Sequence, residues 1–218
     1  MDQTANHFDS ATRQHLLRAA LKCFAHRGYA ATSVQEIVDA AKVSKPVLYY
    51  YFSDKAHLFQ ALVDAAHDER YRLMREAAAR AKDLAGQLLA IMTALFEYLP
   101  SHRELMRIAF AAPGELPEGL QYFEKCERNF EFVHSLMKHA LATGSADPRF
   151  TSEELAHGFY GQVNAAMATH LLKPDCDPTP RTAQQLVRLF LEGAGAGRKD
   201  ADGKPNHSRE KKQRWVRA

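Results

Sequence analysis

Two residue patterns in this 218-residue chain could do chemistry. The first is the run Val43-Ser44-Lys45-Pro46-Val47-Leu48-Tyr49-Tyr50-Tyr51-Phe52. Leu48 and Phe52 stand four apart and can anchor one face of a short helix, which turns Lys45, Val47, Tyr49 and Tyr50 elsewhere. Three successive tyrosines on such a helix cannot all face inward. The run has the form of the second half of a helix-turn-helix, the unit that lays a short helix in the DNA major groove. The second pattern is Glu-x-x-His, present as Glu131 with His134 and as Glu154 with His157. Two such motifs with two further glutamates, here Glu97 and Glu104, would build a di-metal carboxylate centre in a helical bundle and make the chain an enzyme. That alternative weighs less. With 11 His in the chain the spacing arises readily by chance, and the two motifs fall on consecutive predicted helices rather than alternate ones. No Gly-rich phosphate loop, nucleophile elbow or His-Glu-x-x-His is present.

The first pattern needs a helix before it and a tight turn between the two. Thr32-Ser33-Val34-Gln35-Glu36 offers two overlapping capping boxes, Thr32 with Gln35 or Ser33 with Glu36, and the pattern leaves both open. Val34, Ile37, Val38 and Ala41 then mark a buried helical face. Lys42-Val43 is only long enough for a turn. Ser44 is a natural N-cap, and Pro46 sits in the first turn, where its missing N–H is harmless. Ser53-Asp54 caps the next helix. Upstream, Leu16, Leu17, Ala20, Leu21 and Phe24 define another amphipathic helix, ended by Gly28. Residues 1–55 therefore read as a three-helix head.

The residues that carry this reading are Leu17-x-x-Ala20, Phe24, Gly28-Tyr29, Thr32-Ser33-Val34, Ile37, Ala41, Val43-Ser44-Lys45, Leu48 to Phe52 and Lys55. In that order and spacing, over residues 10–60, the chain resembles the tetracycline-repressor-like (TetR) family of bacterial transcription regulators. Lys45-Pro46-Val47 departs from the glycine and threonine that often follow the family's basic residue, which bears on base-pair preference rather than on fold. The resemblance implies an all-α regulator, a repressor and not an enzyme. It implies a homodimer bound to double-stranded operator DNA and released by a small-molecule effector, with no cofactor and no metal. By the same resemblance Thr32 or Ser33 and Ser44 would meet phosphates. Lys45 would reach a phosphate or a guanine edge, and Val47 a thymine methyl with Pro46 shaping the approach. Tyr49 and Tyr50 would contact backbone or bases and Lys55 a phosphate, while Tyr51 packs in part against the head.

Bulk properties fit this frame. A hydrophobic content of 46% is ordinary for a folded globular chain. No apolar run approaches the ~18 residues that span a bilayer, and the polar start Met1-Asp2-Gln3-Thr4 lacks a signal-peptide pattern, so a cytoplasmic protein without a membrane is expected. Cys23, Cys126 and Cys176 are far apart, form no metal spacing and read as free thiols. The charge is uneven. Residues 193–218 hold eight Lys/Arg against three acids, residues 1–60 seven against five, and the body between is acidic. Both ends, not the body, are plausible nucleic-acid surfaces.

Residues 56–192 read as a helical effector-binding and dimerisation domain. Helices are predicted over 54–81, 84–99, 103–111, 117–142, 152–172 and 182–191. Gly158, Gly161, Ala165 and Ala168 are small residues at helical spacing, which lets another helix approach closely. The contact would lie inside the monomer or across a two-fold axis with Leu186 and Phe190 of the final helix; TetR-like proteins pair through their last two long helices, so the resemblance implies the latter. The resemblance also implies a pocket, for which Phe96, Met106, Phe110, Met137, Phe159, Asn164 and Met167 are the candidate lining residues. Residues 193–218 read as a basic, disordered tail containing Trp215.

Overall fold

The computed structural model describes residues 3–110, 122–173 and 178–194, and every regular element among them is an α-helix. The elements are α1 (Gln3–Ala31), α2 (Val34–Ala41), α3 (Lys45–Tyr51), α4 (Lys55–Ala78), α5 (Leu84–Tyr98), α6 (Arg103–Ala109), α7 (Tyr122–Ala142), α8 (Ser152–Leu172) and α9 (Pro180–Ala194). The all-α expectation holds. The segments 111–121, 174–177 and 195–218 lie outside the described residues, and with them Cys176, Trp215 and nearly all of the basic tail.

Local chemistry sets the head. Of the two possible capping boxes, Ser33 with Glu36 forms: the Ser33 hydroxyl accepts from the Glu36 N–H, and the Glu36 carboxylate accepts from the Ser33 N–H. Thr32 turns inward instead, donating its hydroxyl to the Gly28 carbonyl at 2.8 Å. The α2–α3 turn runs through Lys42 in the left-handed region (φ 53°). Ser44 occupies the N-cap position of α3, but its side chain makes no capping hydrogen bond. Gly28, at φ 78° and ψ 168°, breaks the regular helix inside α1. That combination of angles is open almost only to glycine. The bend is held by Lys55, whose Nζ donates to the carbonyls of Tyr29 and Thr32, both at 2.9 Å, and lies 4.2 Å from the Tyr29 ring centroid.

Two hydrophobic cores share α4. Leu58, Phe59, Leu62 and Val63 belong to the head core, with Leu16, Ala20, Phe24, Ile37, Val38, Leu48 and Phe52. Ala66, Met74, Ala77 and Ala78 belong to the body core, with residues of α5, α6, α7, α8 and α9. The cores part between Val63 and Ala66, inside the helix. An apolar stripe predicts one continuous helix but not where its neighbours change. Ile108 of α6 belongs to the head core, whereas Met106 and Ala109 of the same helix belong to the body core. α5 packs against α4 and α9, and α7 against α4 and α8. Among the described residues no single helix is long and apolar enough to cross a membrane.

The Gly28 geometry gives a first test. A Cβ at Gly28 would meet nothing within 4 Å, so Gly28→Ala adds no clash and its cost is that of the backbone angle alone. We expect chemical denaturation to show a loss of ~1–3 kcal/mol. An unchanged midpoint would mean that the bend relaxes at no cost.

Candidate nucleic-acid interface

α3 is anchored by its apolar side. Leu48 is fully buried and Phe52, its C-cap, is buried under the Arg13 guanidinium, 5.2 Å from the ring centroid. Lys45, Pro46, Tyr49 and Tyr50 are therefore turned outward. Lys45 and Pro46 are exposed, Tyr49 is 49% exposed and Tyr50 75%, which makes the two tyrosines half of the large hydrophobics exposed among the described residues. Val47 is half-buried and packs against the head core. Tyr51 is half-buried too, edge-on to Tyr50 with centroids 4.9 Å apart. Ser33 and Ser44 stand exposed at the starts of α2 and α3.

One of the sequence-predicted contacts, Thr32, is corrected, and Lys55 has a further role. Thr32 is 1% exposed and spends its hydroxyl on Gly28, so it presents nothing to a phosphate. Lys55 spends two of its donors on the Tyr29 and Thr32 carbonyls and its charge on the Tyr29 ring. It closes the bend at Gly28, and its half-exposed ammonium keeps a third N–H donor beyond these two bonds. Neither role was readable from spacing, because both depend on the fold-back of the α1 end onto the start of α4. What remains is a compact outward set: Ser33, Ser44, Lys45, Pro46, Tyr49 and Tyr50, on two short helices joined by a tight turn.

Residues 16–62 match the family model described as bacterial regulatory proteins, tetR family. The chain belongs to the TetR family of transcriptional regulators. It is 29% identical over 188 residues to the HTH-type transcriptional repressor KstR2 of Rhodococcus jostii, covering 84% of this chain and 91% of that protein. It is 26% identical over 191 residues to the HTH-type transcriptional regulator AcrR of Shigella flexneri, covering 83% and 88%. Among solved structures it is similar in fold to the transcriptional regulator FadR from Bacillus subtilis in complex with stearoyl-CoA, with a TM-score of 0.74, 15% identity, and coverage of 83% of this chain and 98% of that one. As a TetR-family protein the chain is a DNA-binding regulator and not an enzyme.

The di-metal alternative is overturned by these relatives, and the geometry agrees. His134 contacts Ser152 Oγ at 2.9 Å and Glu131 at 3.4 Å, Glu154 closes a capping box with Thr151, and His157 Nδ1 lies 2.9 Å from the Glu153 carbonyl oxygen. Each motif is used locally. Among the described residues no group of three or more His, Cys, Asp or Glu is placed to hold a metal ion.

In the body of this TetR-family chain the candidate effector residues divide. Phe96, Met106, Met137, Phe159 and Met167 are packed into the body core at 2% exposure or less. In this structure they are core, because large apolar side chains at helical spacing look the same from sequence whether they pack on each other or line a cavity. Phe110 does line a cavity, of about 740 Å³, between head and body, together with Phe24, Tyr29, Phe59, Arg107, Ile108 and Leu171. Asn164 accepts a hydrogen bond from Arg70. The small-residue face divides as well. A Cβ on Gly158 would meet Phe190 of the same chain at 3.3 Å, and Ala168 lines the cavity, so these two are accounted for inside the monomer. Leu186 and Phe190 are half-buried against the body core, Phe190 on Phe159. Gly161 and Ala165 are exposed, in line with Leu172 at 83% exposure, and Leu189 of α9 is 66% exposed.

Spacing also missed a group of buried polar residues. His67, Arg70 and Asn129 are all buried, and Tyr160 and Asn164 adjoin them. The signal was present: Leu62, Ala66, Arg70, Met74 and Ala78 form a strict four-residue stripe in which one member is charged. Burial and the neighbouring cations Arg70, Arg128 and Lys125 push the His67 imidazole down to about 4. A histidine whose folded value lies below its unfolded one takes up its proton first in the unfolded chain. Its contribution is therefore complete above its ordinary value of about 6.5 and is lost as pH falls towards 4. We expect the stability gap between wild type and His67→Gln to shrink over that range. Thermal midpoints of the two proteins across pH would show it; a constant gap would mean that His67 binds its proton equally well in both states.

Proposed function

We propose that the chain is a dimeric repressor that reads an operator through α3 and is released from it by a small molecule bound in the body. The observation that carries this is the orientation of α3: its apolar side is locked into the head core, while Lys45, Tyr49 and Tyr50 face solvent. On this reading Lys45 reaches a phosphate or guanine edge, the two tyrosines meet backbone or bases, and the Ser33 and Ser44 hydroxyls meet phosphates. Val47 and Pro46 shape the approach to the groove. The head is residues 1–55 with the first turns of α4, and the rest of 56–192 binds effector and partner. The repressor sense is supported by similarity to KstR2, which is named a repressor. Small-molecule control is supported by the fold it shares with FadR, which was solved with stearoyl-CoA.

The dimer contact is assigned to the outer stripe of α8 and the outer side of α9, through Gly161, Ala165, Leu172 and Leu189. Two large apolar side chains standing in solvent along a row of small residues are what a close helix–helix contact would cover. A two-fold dimer then presents two copies of α3 to a near-palindromic site, about one helical turn of DNA apart.

Lys45→Ala and Tyr50→Ala should each weaken binding by ~1–3 kcal/mol, the usual size of one good base or phosphate contact. Fluorescence anisotropy on a duplex selected from a random pool would measure it, with helicity and dimerisation unchanged. Full affinity in both variants would remove α3 from the interface. For the dimer, Gly161→Leu is a clean probe, because a Cβ there meets nothing within 4 Å in the same chain. Overpacking between subunits costs ~1–3 kcal/mol, so sedimentation should shift towards monomer without loss of monomer stability. An intact dimer would move the contact off α8.

A further inference from the structure

Among the described residues, one charge in the body is buried and has no anion beside it. Arg70 is 2% exposed. Its single hydrogen bond among the described residues runs from Nη2 to Asn164 Oδ1, and its Nε–H is buried with no partner. The guanidinium is flanked by two rings, Tyr160 at 4.7 Å and Phe110 at 5.4 Å from the centroids. Rings attract a cation but do not neutralise it.

Among the described residues, the acids on the same stretch of α4 are already taken. Asp68 pairs with Arg128 at 2.6 Å and with Lys125 at 3.4 Å, and Asp64 lies 3.7 Å from the same Lys125. Glu69 is bound by Arg72 at 2.6 Å. Of the cations Arg70 on α4 and Lys125 and Arg128 on α7, the last two engage the carboxylates Asp64 and Asp68, and Arg70 is the one left over. Burying an ion costs several kcal/mol unless it is paired, and folded proteins rarely retain such a group without a use for it.

We propose that Arg70 anchors an anionic oxygen group, a carboxylate or a phosphate, carried by an otherwise apolar effector. The inference rests on the effector reading above and names the ligand's chemistry. The guanidinium offers a planar set of donors that matches either group, and charge-assisted hydrogen bonds of this kind are the strong ones. Asn164 and Tyr160, one turn apart on α8, hold the guanidinium in place. Phe110, which covers it, also lines the cavity between head and body, whose walls include Phe24, Phe59, Ile108 and Leu171. An anion on Arg70 with its apolar part against Phe110 would therefore reach the surface through which the body meets the head.

The test uses the full-length protein with four probes below their micelle concentrations: decanoate, decyl phosphate, 1-decanol and decyltrimethylammonium. Thermal midpoints give half-saturating concentrations, and release of a labelled operator duplex is followed in parallel. Decanoate or decyl phosphate should act at least tenfold below 1-decanol on the wild type, and whichever does so identifies the anion. Arg70→Met should remove that advantage. If Arg70→Met does not fold, Arg70→Lys carries the test: it keeps the charge but loses the planar fork, and the anion should bind at least tenfold more weakly. Equal action of anion and alcohol on the wild type, an undiminished anion advantage in either variant, or no anion effect at all would overturn the proposal. Operator binding is measured first without any probe. Its absence would remove the regulatory reading itself, whereas release by neutral molecules alone would remove only the role given to Arg70.

Discussion

The constraint on which the rest depends is that one helix serves two cores. α4 carries Leu58, Phe59, Leu62 and Val63 into the head and Ala66, Met74, Ala77 and Ala78 into the body without a break. An α-helix of 24 residues is a rod of roughly 36 Å, fixed along its length by its own hydrogen bonds. Close-packed cores do not yield gradually; they move between discrete arrangements. A shift of α4 against the body is therefore a shift of the head. Lys55 adds to this. It ties the first turn of α4 to the bend at Gly28 and to the Thr32 carbonyl just before α2, so α2 and α3 follow the same rod.

α6 is the second link, and a short one. Met106 and Ala109 sit in the body core while Ile108, between them, sits in the head core. Seven residues thus touch both units, and the next residue, Phe110, lies beside Arg70 and also borders the junction cavity. A molecule that reorders this corner acts on both links together: on α4 through Arg70, and on α6 through Phe110. The location of the cavity suits regulation better than the sealed apolar core does, since Phe96, Met137 and Met167 could admit a ligand only by giving up packing already made.

Much of this was legible in the sequence, for a physical reason. The helix-turn-helix is set by local rules: a capping box, a proline in the first turn, apolar residues at three- and four-residue steps. Leu48 and Phe52 fix the orientation of α3 whatever the rest of the chain does, so Lys45, Tyr49 and Tyr50 could be placed outward from spacing alone. What failed was non-local. The inward turn of Thr32 depends on the Gly28 backbone angle, and the use of Lys55 depends on two carbonyls more than twenty residues away. The apolar effector candidates divide between core and cavity wall, Phe110 lining the cavity and Phe96, Met106, Met137, Phe159 and Met167 packed in the core, because pattern does not distinguish the two. The small-residue stripe on α8 divides, because a helix has neighbours on several sides: a Cβ at Gly158 would meet Phe190 of the same chain, while Gly161 faces solvent. Arg70 was visible as a charge inside an apolar stripe, but only the positions of Lys125 and Arg128 show that the local carboxylates are already engaged.

The size of the effect that one buried cation can exert is enough for a switch. A hydrogen bond to a charged group contributes ~1.5–3 kcal/mol, and coupling between regulatory sites is typically ~1–3 kcal/mol. A ligand moves an equilibrium only by its differential affinity for the two states. In an effector held by apolar contacts alone, that difference must come from many small packing terms, most of which are similar in both states. An anion on Arg70 would concentrate the difference in one place, because the guanidinium is buried, has no carboxylate partner among the described residues, and lies beside the Phe110 ring. A state of the body in which Phe110 opens to admit the anion would be favoured by the bound ligand in proportion to its differential affinity. α6 carries Phe110 directly after Ala109, which enters the body core, and two after Ile108, which enters the head core, so a displacement of Phe110 by a bound anion would be felt in both cores.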